Sequence, residues 1–307
     1  MKKITVVGAG NVGAQCIYRL AQKGFENLVL IDVVDGLPQG KALDMMQAGA
    51  VDGFNAHIKG TNDYKNTQDS DVVVITAGLA RKPGMSRDDL IAKNAEITKS
   101  VVKSVIENSP NAILLIVTNP LDAMTYYAYK ISGLPSNRVL GMAPVLDSAR
   151  MQYFIAETLK ASIKDIYAEV LGSHGDLMVP IPSLSTVKGK SITELLTTEQ
   201  INNIVQRTKD GGAEIVKYLK TGSAYYAPGS SAAEMSEAIA NDSKKVLSSC
   251  CYVTGQYGIK DVYLGVPAKL GKNGVEEILE IKLTPEENKA LHNSAEAVRE
   301  LCKALPL

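Results

Sequence analysis

The sequence lacks an excess of charge of either sign, and it lacks any long hydrophobic run. Its 33 basic and 33 acidic side chains balance to a formal net charge of zero, which leaves no electrostatic footprint for nucleic acid or an anionic membrane. The longest clear apolar run, Ala112–Val117, is strand-sized and falls far below the roughly 20 residues that a membrane span needs. We therefore expect neither a nucleic-acid partner nor a membrane partner.

Cysteine is also scarce, with four residues in the whole chain. None of them forms a Cys-x-x-Cys pair, and there is no Cys/His cluster with zinc spacing, so no metal site is expected. Free thiols in a reducing compartment are the simplest interpretation, and this predicts a cytoplasmic protein. The first residues, Met-Lys-Lys-Ile-Thr-Val-Val-Gly, have too short an apolar core for a signal peptide and are predicted to form a strand.

The first half of the chain alternates apolar runs with helical patterns. A strand at Lys3–Val7, a helix at Ala14–Lys23 and a strand at Asn27–Ile31 have the size of one βαβ unit. Two more strands are predicted at Asp71–Thr76 and Ala112–Thr118, with a helix between them over residues 91–108. Continuous apolar strands that alternate with helices predict a parallel sheet buried on both faces.

The pattern changes after about residue 142. Predicted helices cover residues 148–159, 198–219, 225–246 and 286–304, and predicted strands cover residues 168–171, 262–266 and 278–283. No internal repeat or flexible linker interrupts the chain, so two packed domains are expected. We predict a doubly wound parallel α/β domain of the Rossmann type over residues 1–142 and an α/β (α+β) substrate domain over residues 143–307.

A glycine motif, Gly8-x-Gly10-x-x-Gly13, follows the first strand and opens the first helix. The first glycine permits a tight turn, the second lets the backbone approach a pyrophosphate, and the third allows close packing of helix on strand. Asp32 ends the second strand, close to the expected ~20 residues further on. A carboxylate there accepts hydrogen bonds from the ribose hydroxyls of NAD and repels a 2′-phosphate, which favours NAD over NADP.

Of the three histidines, His174 has the surroundings of a catalytic group. It lies in Gly-Ser-His-Gly-Asp directly after an apolar run, so its small neighbours let the ring face a cleft. Hydride transfer to a ketone needs a proton for the developing alkoxide, and histidine is the usual donor near neutral pH. A carboxylate should orient the ring, and the sequence leaves three candidates open: Asp122, Asp147 and Asp176.

Other charged or polar groups allow two interpretations each. Asp147 and Arg150 are either a surface ion pair, or a histidine partner and a clamp for a substrate carboxylate. His57 and His292 are expected to be structural. The Tyr126-x-x-x-Lys130 spacing matches short-chain dehydrogenases, but the glycine pattern of that family is absent, so packing is the expected role of Tyr126.

The motifs in chain order resemble those of one family. GAGNVG, the strand end at Asp32, VITAGLARKPGMSRDDL, VTNPLDAM, GMAPVLDSAR, GSHGD and KTGSAYYAPG resemble the malate/lactate dehydrogenase family. The resemblance covers residue 4 to about residue 285 and is greatest to lactate-dehydrogenase-like malate dehydrogenases. It implies an NAD-dependent enzyme that transfers a hydride reversibly between (S)-malate and oxaloacetate.

The resemblance also implies roles for individual residues. His174 becomes the proton donor and acceptor, Asp147 its partner, and Arg150 the ligand of the carboxylate beside the reacting carbon. Asn119 contacts the substrate oxygen or the nicotinamide ribose, Ser223 lines the substrate pocket, and Pro120 follows a cis peptide bond. The cofactor contacts it implies, together with those of the glycine motif and Asp32, are Asn11, Val12, Thr76, Ala77, Gly78, Asn94, Val117 and Asn119.

The segment from Leu79 to about Asp89 resembles the family's lid over the substrate. Arg87 in this lid is implied to bind the carbonyl oxygen and stabilise its developing negative charge. Arg81 is implied to meet the second carboxylate of a dicarboxylate. Pyruvate would leave Arg81 unpaired in a closed site, at a cost of roughly 2–5 kcal/mol, or roughly 30- to 4,000-fold in discrimination.

Two rival functions and the oligomeric state stay open from the sequence. A lactate or broad 2-hydroxyacid dehydrogenase is the nearest rival, and Arg81 is the residue against it. A non-enzymatic NAD-binding scaffold predicts the loss of at least one of His174, Asp147, Arg150 and Arg87, whereas all four are present. A helix at about Gln39–Ala48 is implied by the resemblance to form a subunit interface, and core packing explains it equally well. A homodimer or homotetramer is expected.

Overall fold

The computed structural model describes residues 2–79 and 87–307, and of Arg87 it describes the backbone alone. The strands are β1 Lys3–Val7, β2 Asn27–Ile31, β3 His57–Thr61, β4 Val72–Ile75, β5 Ile113–Ile116, β6 Val139–Gly141, β7 Ile166–Tyr167, β8 Val170–Gly172, β9 Met178–Pro180, β10 Thr186–Val187, β11 Lys190–Ser191, β12 Lys245–Thr254, β13 Lys260–Gly271 and β14 Gly274–Ile278. The helices are α1 Asn11–Gln22, α2 Leu37–Asp52, α3 Arg87–Asn108, α4 Leu121–Ser132, α5 Ala143–Leu159, α6 Ile192–Leu195, α7 Thr198–Leu219, α8 Tyr226–Ala240 and α9 Pro285–Cys302.

The first six strands form the predicted parallel sheet. Their order is β3-β2-β1-β4-β5-β6, and each neighbouring pair runs parallel. The central strands are buried along their whole length because helices cover both faces, which is why they read as unbroken apolar runs. This strand order is that of the Rossmann-type fold, and ligands of such sheets bind at the carboxyl ends of the strands where the order reverses.

The second half of the chain extends the same sheet with antiparallel strands. β12 pairs with β6 at Cys250 and Gly141 and forms a long antiparallel ladder with β13. β8, β9 and β14 complete this extension, while β7, β10 and β11 form a small separate sheet. The two halves therefore share one continuous sheet of eleven strands, and α8 packs against α1 to close the interface between them.

Two predicted boundaries in the second half were wrong. The helix predicted over residues 225–246 ends at Ala240, where Asp242 and Lys244 adopt positive φ and turn the chain. Residues 245–254 then form β12, whose apolar side chains are buried by pairing with β13. The strand predicted over residues 278–283 was misplaced, because β14 covers Gly274–Ile278 and residues 279–283 form no strand. Within the described residues, no helix combines the length and apolar character that crossing a membrane requires.

Candidate active site

The glycine motif forms the turn between β1 and α1, and its three glycines are needed for different reasons. Gly8 adopts a φ of +105°, a conformation that favours glycine. A Cβ on Gly13 would lie 1.9 Å from the carbonyl oxygen of Gly8, so the helix can approach the turn only if this residue has no side chain. Gly10 has nothing within 4 Å of its ideal Cβ position and precedes the first residue of α1. The open space therefore lies at Gly10, at the helix N-terminus.

Asp32 holds this turn from the end of β2. One carboxylate oxygen accepts the amide hydrogen of Ala9 at 2.6 Å, and the other accepts that of Val34 at 2.9 Å. Lys41 of α2 donates from Nζ to the carbonyl oxygen of Ala9 at 2.7 Å. The backbone amide of Ala9 is thus bonded by the negatively charged Asp32, and its carbonyl oxygen by the positively charged Lys41. The sequence patterns did not identify Lys41 as a contributor to this turn.

The predicted cofactor residues after β4 and β5 support the same turn. The Thr76 hydroxyl donates to the carbonyl oxygens of Val7 and Gly8, each at 3.1 Å. Asn94 is fully buried, and its amide bonds both backbone groups of Leu79 and the carbonyl oxygen of Asn119. These contacts bring the ends of β1, β4 and β5 together at the edge where a dinucleotide binds in this type of sheet.

These residues fit a dinucleotide. Gly10, Asn11 and Val12 surround the start of α1, whose first turn carries no acidic residue, so the partial positive charge of the helix N-terminus is available to a phosphate. Asp32 lies at the outer end of the same turn and is half-buried. Because Gly10 has no side chain and nothing lies within 4 Å of its ideal Cβ position, a pyrophosphate can approach the backbone here.

His174 lies in the turn that follows β8, and its ring contacts Asp147. The distance from His174 Nδ1 to Asp147 Oδ2 is 2.8 Å, and the Asp147 side chain is 2% exposed. Asp122 accepts the backbone amide of His174 at 2.9 Å, and Asp176 is exposed. Of the three candidate carboxylates, Asp147 therefore contacts the ring, Asp122 holds the backbone, and Asp176 lies at the surface.

Asp147 also contacts Arg150, one turn further along α5. Arg150 Nη1 donates to the second carboxylate oxygen, Oδ1, at 2.9 Å, and the arginine side chain is 12% exposed. The interpretation of these two residues as a surface ion pair is wrong, because both side chains are largely buried. The Nε atom of Arg150 is buried without a hydrogen-bond partner among the described residues.

A pair of glycines in α7 makes room for Arg150. An ideal Cβ on Gly211 would lie 3.1 Å from Arg150 Cδ, and one on Gly212 would lie 3.6 Å from Arg150 Nη2. Two adjacent glycines inside a 22-residue helix lower its intrinsic stability. Their presence in the sequence of a predicted helix was therefore a signal that another group packs closely against them. Sequence reasoning missed this pair.

Two buried carboxyl groups act on the titration of His174. Burial lowers the pKa of the imidazole, but the charge and hydrogen bond of Asp147, with a smaller contribution from Asp122, raise the pKa above its ordinary value of 6.5. Burial also raises the pKa of Asp122 itself, against the hydrogen bond from the His174 amide. The site therefore favours a protonated imidazole at neutral pH more than water does.

A cavity of about 300 Å³ opens between the two halves of the molecule at this point. Among the residues that line it are Val12, Val117, Asn119, Arg150, His174 and Ser223. The fold thus brings predicted residues from the cofactor side and from the substrate side to one cavity. The peptide bond between Asn119 and Pro120 is cis, as expected from the resemblance.

Arg81 lies outside the described residues. Arg87 is the first residue of α3, and its side chain also lies outside them. The roles predicted for these two arginines therefore have no geometry in the structure.

The other candidates are structural. His57 is an exposed residue at the start of the edge strand β3, and His292 of α9 bonds the carbonyl oxygen of Tyr257. Tyr126 packs edge-on against Tyr263, with Lys130 over its ring. All four cysteines are free, and within the described residues no group of His, Cys, Asp and Glu side chains could hold a metal ion.

Comparison with known proteins gives one family for both halves of the chain. The model of the lactate/malate dehydrogenase NAD-binding domain matches residues 2–141, and that of the lactate/malate dehydrogenase α/β C-terminal domain matches residues 145–305. A malate dehydrogenase of Chlorobium chlorochromatii is 56% identical over 304 residues, covering 99% of this chain and 98% of that protein. One from Synechocystis is 57% identical over 297 residues, covering 97% of this chain and 92% of that protein.

Solved structures agree with the sequence comparison. The malate dehydrogenase of Salinibacter ruber has a TM-score of 0.95 at 48% identity, covering 99% of this chain and 97% of that one. A Cryptosporidium parvum lactate dehydrogenase in complex with lactic acid and nicotinamide adenine dinucleotide has a TM-score of 0.94 at 42% identity, covering 99% of this chain and 98% of that one. The fold of both halves of the chain is therefore shared with these proteins.

Proposed function

This chain belongs to the lactate/malate dehydrogenase family, and we propose that it is an NAD-dependent malate dehydrogenase with His174 as its proton donor and acceptor. It interconverts (S)-malate and oxaloacetate by reversible hydride transfer. The observation that carries the proposal is the contact between His174 and the buried Asp147 in a cavity that also contains Arg150. Relatives more than half identical over nearly the whole chain are malate dehydrogenases.

His174 exchanges the proton through its Nε2 atom. A carboxylate only accepts hydrogen bonds, so the contact with Asp147 assigns the proton on Nδ1 and leaves Nε2 for the substrate oxygen. When bound, NAD supplies or receives the hydride at the substrate carbon. In ketone reduction the protonated imidazole gives its Nε2 proton to the developing alkoxide, and Asp147 stabilises the positive charge until that transfer.

Arg150 binds the carboxylate next to the reacting carbon. Its guanidinium has five donors in a planar fork that suits a carboxylate, and only one contact to Asp147 occupies it among the described residues. Asn119 and Ser223 line the same cavity and complete the substrate pocket. Arg87 and Arg81 are proposed from the family resemblance alone, the first to stabilise the carbonyl oxygen and the second to bind the far carboxylate.

The cofactor site is proposed along the glycine turn and the ends of β4 and β5. Asp32 binds the adenosine ribose while its two contacts to Ala9 and Val34 keep it in place. The start of α1 binds the pyrophosphate. The full proposed set is Gly8, Gly10, Asn11, Val12, Gly13, Asp32, Thr76, Ala77, Gly78, Asn94, Val117 and Asn119.

Three broader features are also proposed. We place the domain boundary at residues 142 and 143, where α5 begins after β6. A homodimer or homotetramer is supported by apolar side chains exposed on α2, Leu43 at 55% and Val51 at 87%. A cytoplasmic location is supported by the four free cysteines.

The proposal is tested with dialysed protein, NADH and oxaloacetate, by following the loss of NADH absorbance. We expect turnover that scales with enzyme concentration, and a loss of roughly 100-fold or more for His174→Asn with NADH binding retained. No turnover at any enzyme concentration would favour a non-catalytic NAD-binding protein. The similarity to a lactate dehydrogenase makes pyruvate the necessary parallel substrate.

A further inference from the structure

The cavity wall carries an excess of positive charge. Among the described residues that line it, three have ionisable side chains, namely Arg150, His174 and Lys209, and none of the described lining residues is acidic. Arg150 and His174 both contact Asp147, which lies behind the wall. Lys209 has no ion pair or hydrogen bond to any described residue, so its charge is not neutralised by a neighbour in the part of the chain that the structure describes.

Lys209 lies on the face of α7 that looks into the cavity. It lines the cavity together with Gly212 and Val216, three and seven residues further on, a spacing that places all three on one helix face. Its helical neighbours at three and four residues are Val205, Gln206, Gly212 and Ala213, none of which is charged. The adjacent Asp210 instead accepts a hydrogen bond from Gln206 at 2.9 Å.

The same helix packs against the arginine of the site. Because Gly211 lies against the Arg150 side chain, Lys209 is within about one helical turn of a residue that contacts Arg150. Lys209 is half-buried and lines the cavity, as expected for a lysine whose stem packs along a wall while its charged end remains hydrated. A lysine in this position adds a positive charge near the substrate without competing with Asp147.

The charges of the cavity can be compared with those of the substrate. Arg150 and Asp147 together contribute no net charge, and a protonated His174 contributes one positive charge. Lys209 raises the sum to two positive charges, which balances the two negative charges of a dicarboxylate such as oxaloacetate. Without Lys209 the described wall matches a monocarboxylate such as pyruvate.

We propose that Lys209 is a specificity-determining residue that favours dicarboxylate over monocarboxylate substrates by interacting with their second carboxylate. This proposal rests on the function proposed above and identifies a contribution from a residue of α7 in addition to the one proposed for Arg81. The interaction does not depend on residues 80–86, because Lys209 belongs to a helix of the substrate half. The positive charge of Lys209 therefore also acts on substrate capture.

The test compares Lys209→Met and Lys209→Arg with the wild-type enzyme, and Lys217→Met is the matched control. Lys217 lies on the same helix, is exposed and does not line the cavity. For Lys209→Met we expect kcat/KM for oxaloacetate to fall about tenfold, about 1.4 kcal/mol, while kcat/KM for pyruvate changes by less than about twofold. Lys209→Arg should retain most of the activity with oxaloacetate, and Lys217→Met should match the wild type.

A binding measurement separates a charge effect from a structural one. In the complex with NADH, Lys209→Met should weaken hydroxymalonate, a dianion, and leave the affinity for oxamate, a monoanion, unchanged. The salt dependence of kcat/KM for oxaloacetate should also become shallower. Equal losses for both inhibitors, weaker binding of NADH itself, or no change at all would each overturn the proposal.

The proposed function and the role of Lys209 fail in different ways. A wild-type enzyme that prefers pyruvate contradicts the function as a malate dehydrogenase, whatever the variants do. The role of Lys209 is judged by the change in the ratio of the two kcat/KM values between Lys209→Met and the wild type. An unchanged ratio contradicts it even if oxaloacetate is the preferred substrate.

Discussion

Nδ1 of His174 lies 2.8 Å from Oδ2 of Asp147, whose side chain is almost completely buried. The same carboxylate bonds Arg150 through its other oxygen, at 2.9 Å. One buried charge therefore orients both the ring proposed to exchange the proton and the arginine proposed to bind the substrate carboxylate. The two functional groups on opposite sides of Asp147 should not respond independently to its replacement.

Replacing this carboxylate should impair chemistry more than cofactor binding. We expect Asp147→Asn to lower kcat/KM for oxaloacetate roughly 100-fold or more, because the imidazole loses the charge that stabilises its protonated form. KM should rise as well, since Arg150 loses its partner. Steady-state kinetics with NADH titration measure both effects. Weakened NADH binding as the main effect would contradict the assignment of Asp147 to the substrate side.

The pH dependence should differ between the two directions of the reaction. In the proposed mechanism, reduction of oxaloacetate needs protonated His174, and the contacts with Asp147 raise the pKa of this group above 6.5. Activity in this direction should therefore persist through pH 6.5 and fall as the pH rises through the raised pKa. Oxidation of malate needs neutral His174 and should increase over the same interval.

Asp147→Asn supplies the control for this pH dependence. Removing the charge that raises the pKa of His174 should move both the fall of oxaloacetate reduction and the rise of malate oxidation toward lower pH. Rates measured as kcat/KM with each substrate across the pH range report the shift. Identical profiles for the variant and the wild type would show that another group controls the pH dependence.

Two glycines of the turn after β1 should respond differently to alanine. Gly13→Ala places a Cβ 1.9 Å from the Gly8 carbonyl oxygen, so it should destabilise the fold by about 1–3 kcal/mol and disrupt NADH binding. Gly10 has an ordinary φ of −66° and open space around it. Gly10→Ala should therefore keep the Tm of the wild type while its methyl group weakens NADH binding about tenfold, about 1.4 kcal/mol.

Thermal unfolding and NADH fluorescence titration of the two variants provide the comparison. Unchanged NADH affinity in Gly10→Ala would show that the pyrophosphate does not approach the chain at this residue. An unchanged Tm in Gly13→Ala would contradict the close contact between α1 and the turn.

Gly211 should be required for the position of Arg150 more than for the stability of α7. Alanine is favoured over glycine inside a helix by about 1 kcal/mol, so Gly211→Ala should leave the Tm unchanged or raise it. Its Cβ would lie 3.1 Å from Arg150 Cδ, and the arginine must shift. We expect KM to rise for oxaloacetate and for pyruvate alike, because both share the carboxylate that Arg150 is proposed to bind, while the Kd for NADH stays the same. A rise for only one substrate would contradict that role.

The parts of the molecule with strong local patterns could be predicted from the sequence. The parallel sheet follows from unbroken apolar runs that alternate with helices. The predicted bounds of β1, β2 and the helix α7 of the second half are those that the structure has. The turn after β1 follows from glycine spacing. The position of His174 at the edge of a cavity follows from its small neighbours and the preceding apolar strand.

The remaining features depend on contacts between distant residues. Residues 245–254 form a strand because β13 pairs with them, although the predicted helix extended to residue 246 and no strand was predicted here. The choice among Asp122, Asp147 and Asp176 required the approach of α5 to the turn after β8. The contact of Gly211 with Arg150 and the position of Lys209 at the cavity depend on the packing of α7 against Arg150. Residue spacing along the chain does not predict that packing.

The central claim is that this enzyme acts on a dicarboxylate, and the most direct test is kcat/KM for oxaloacetate and for pyruvate, measured side by side with NADH. Pyruvate has no second carboxylate for Arg81, and an unpaired charge in a closed site costs roughly 2–5 kcal/mol. We therefore predict a preference for oxaloacetate of roughly 100-fold or more. A preference for pyruvate would contradict the claim, leaving the fold, the cofactor and the role of His174 in place and making the protein a lactate dehydrogenase.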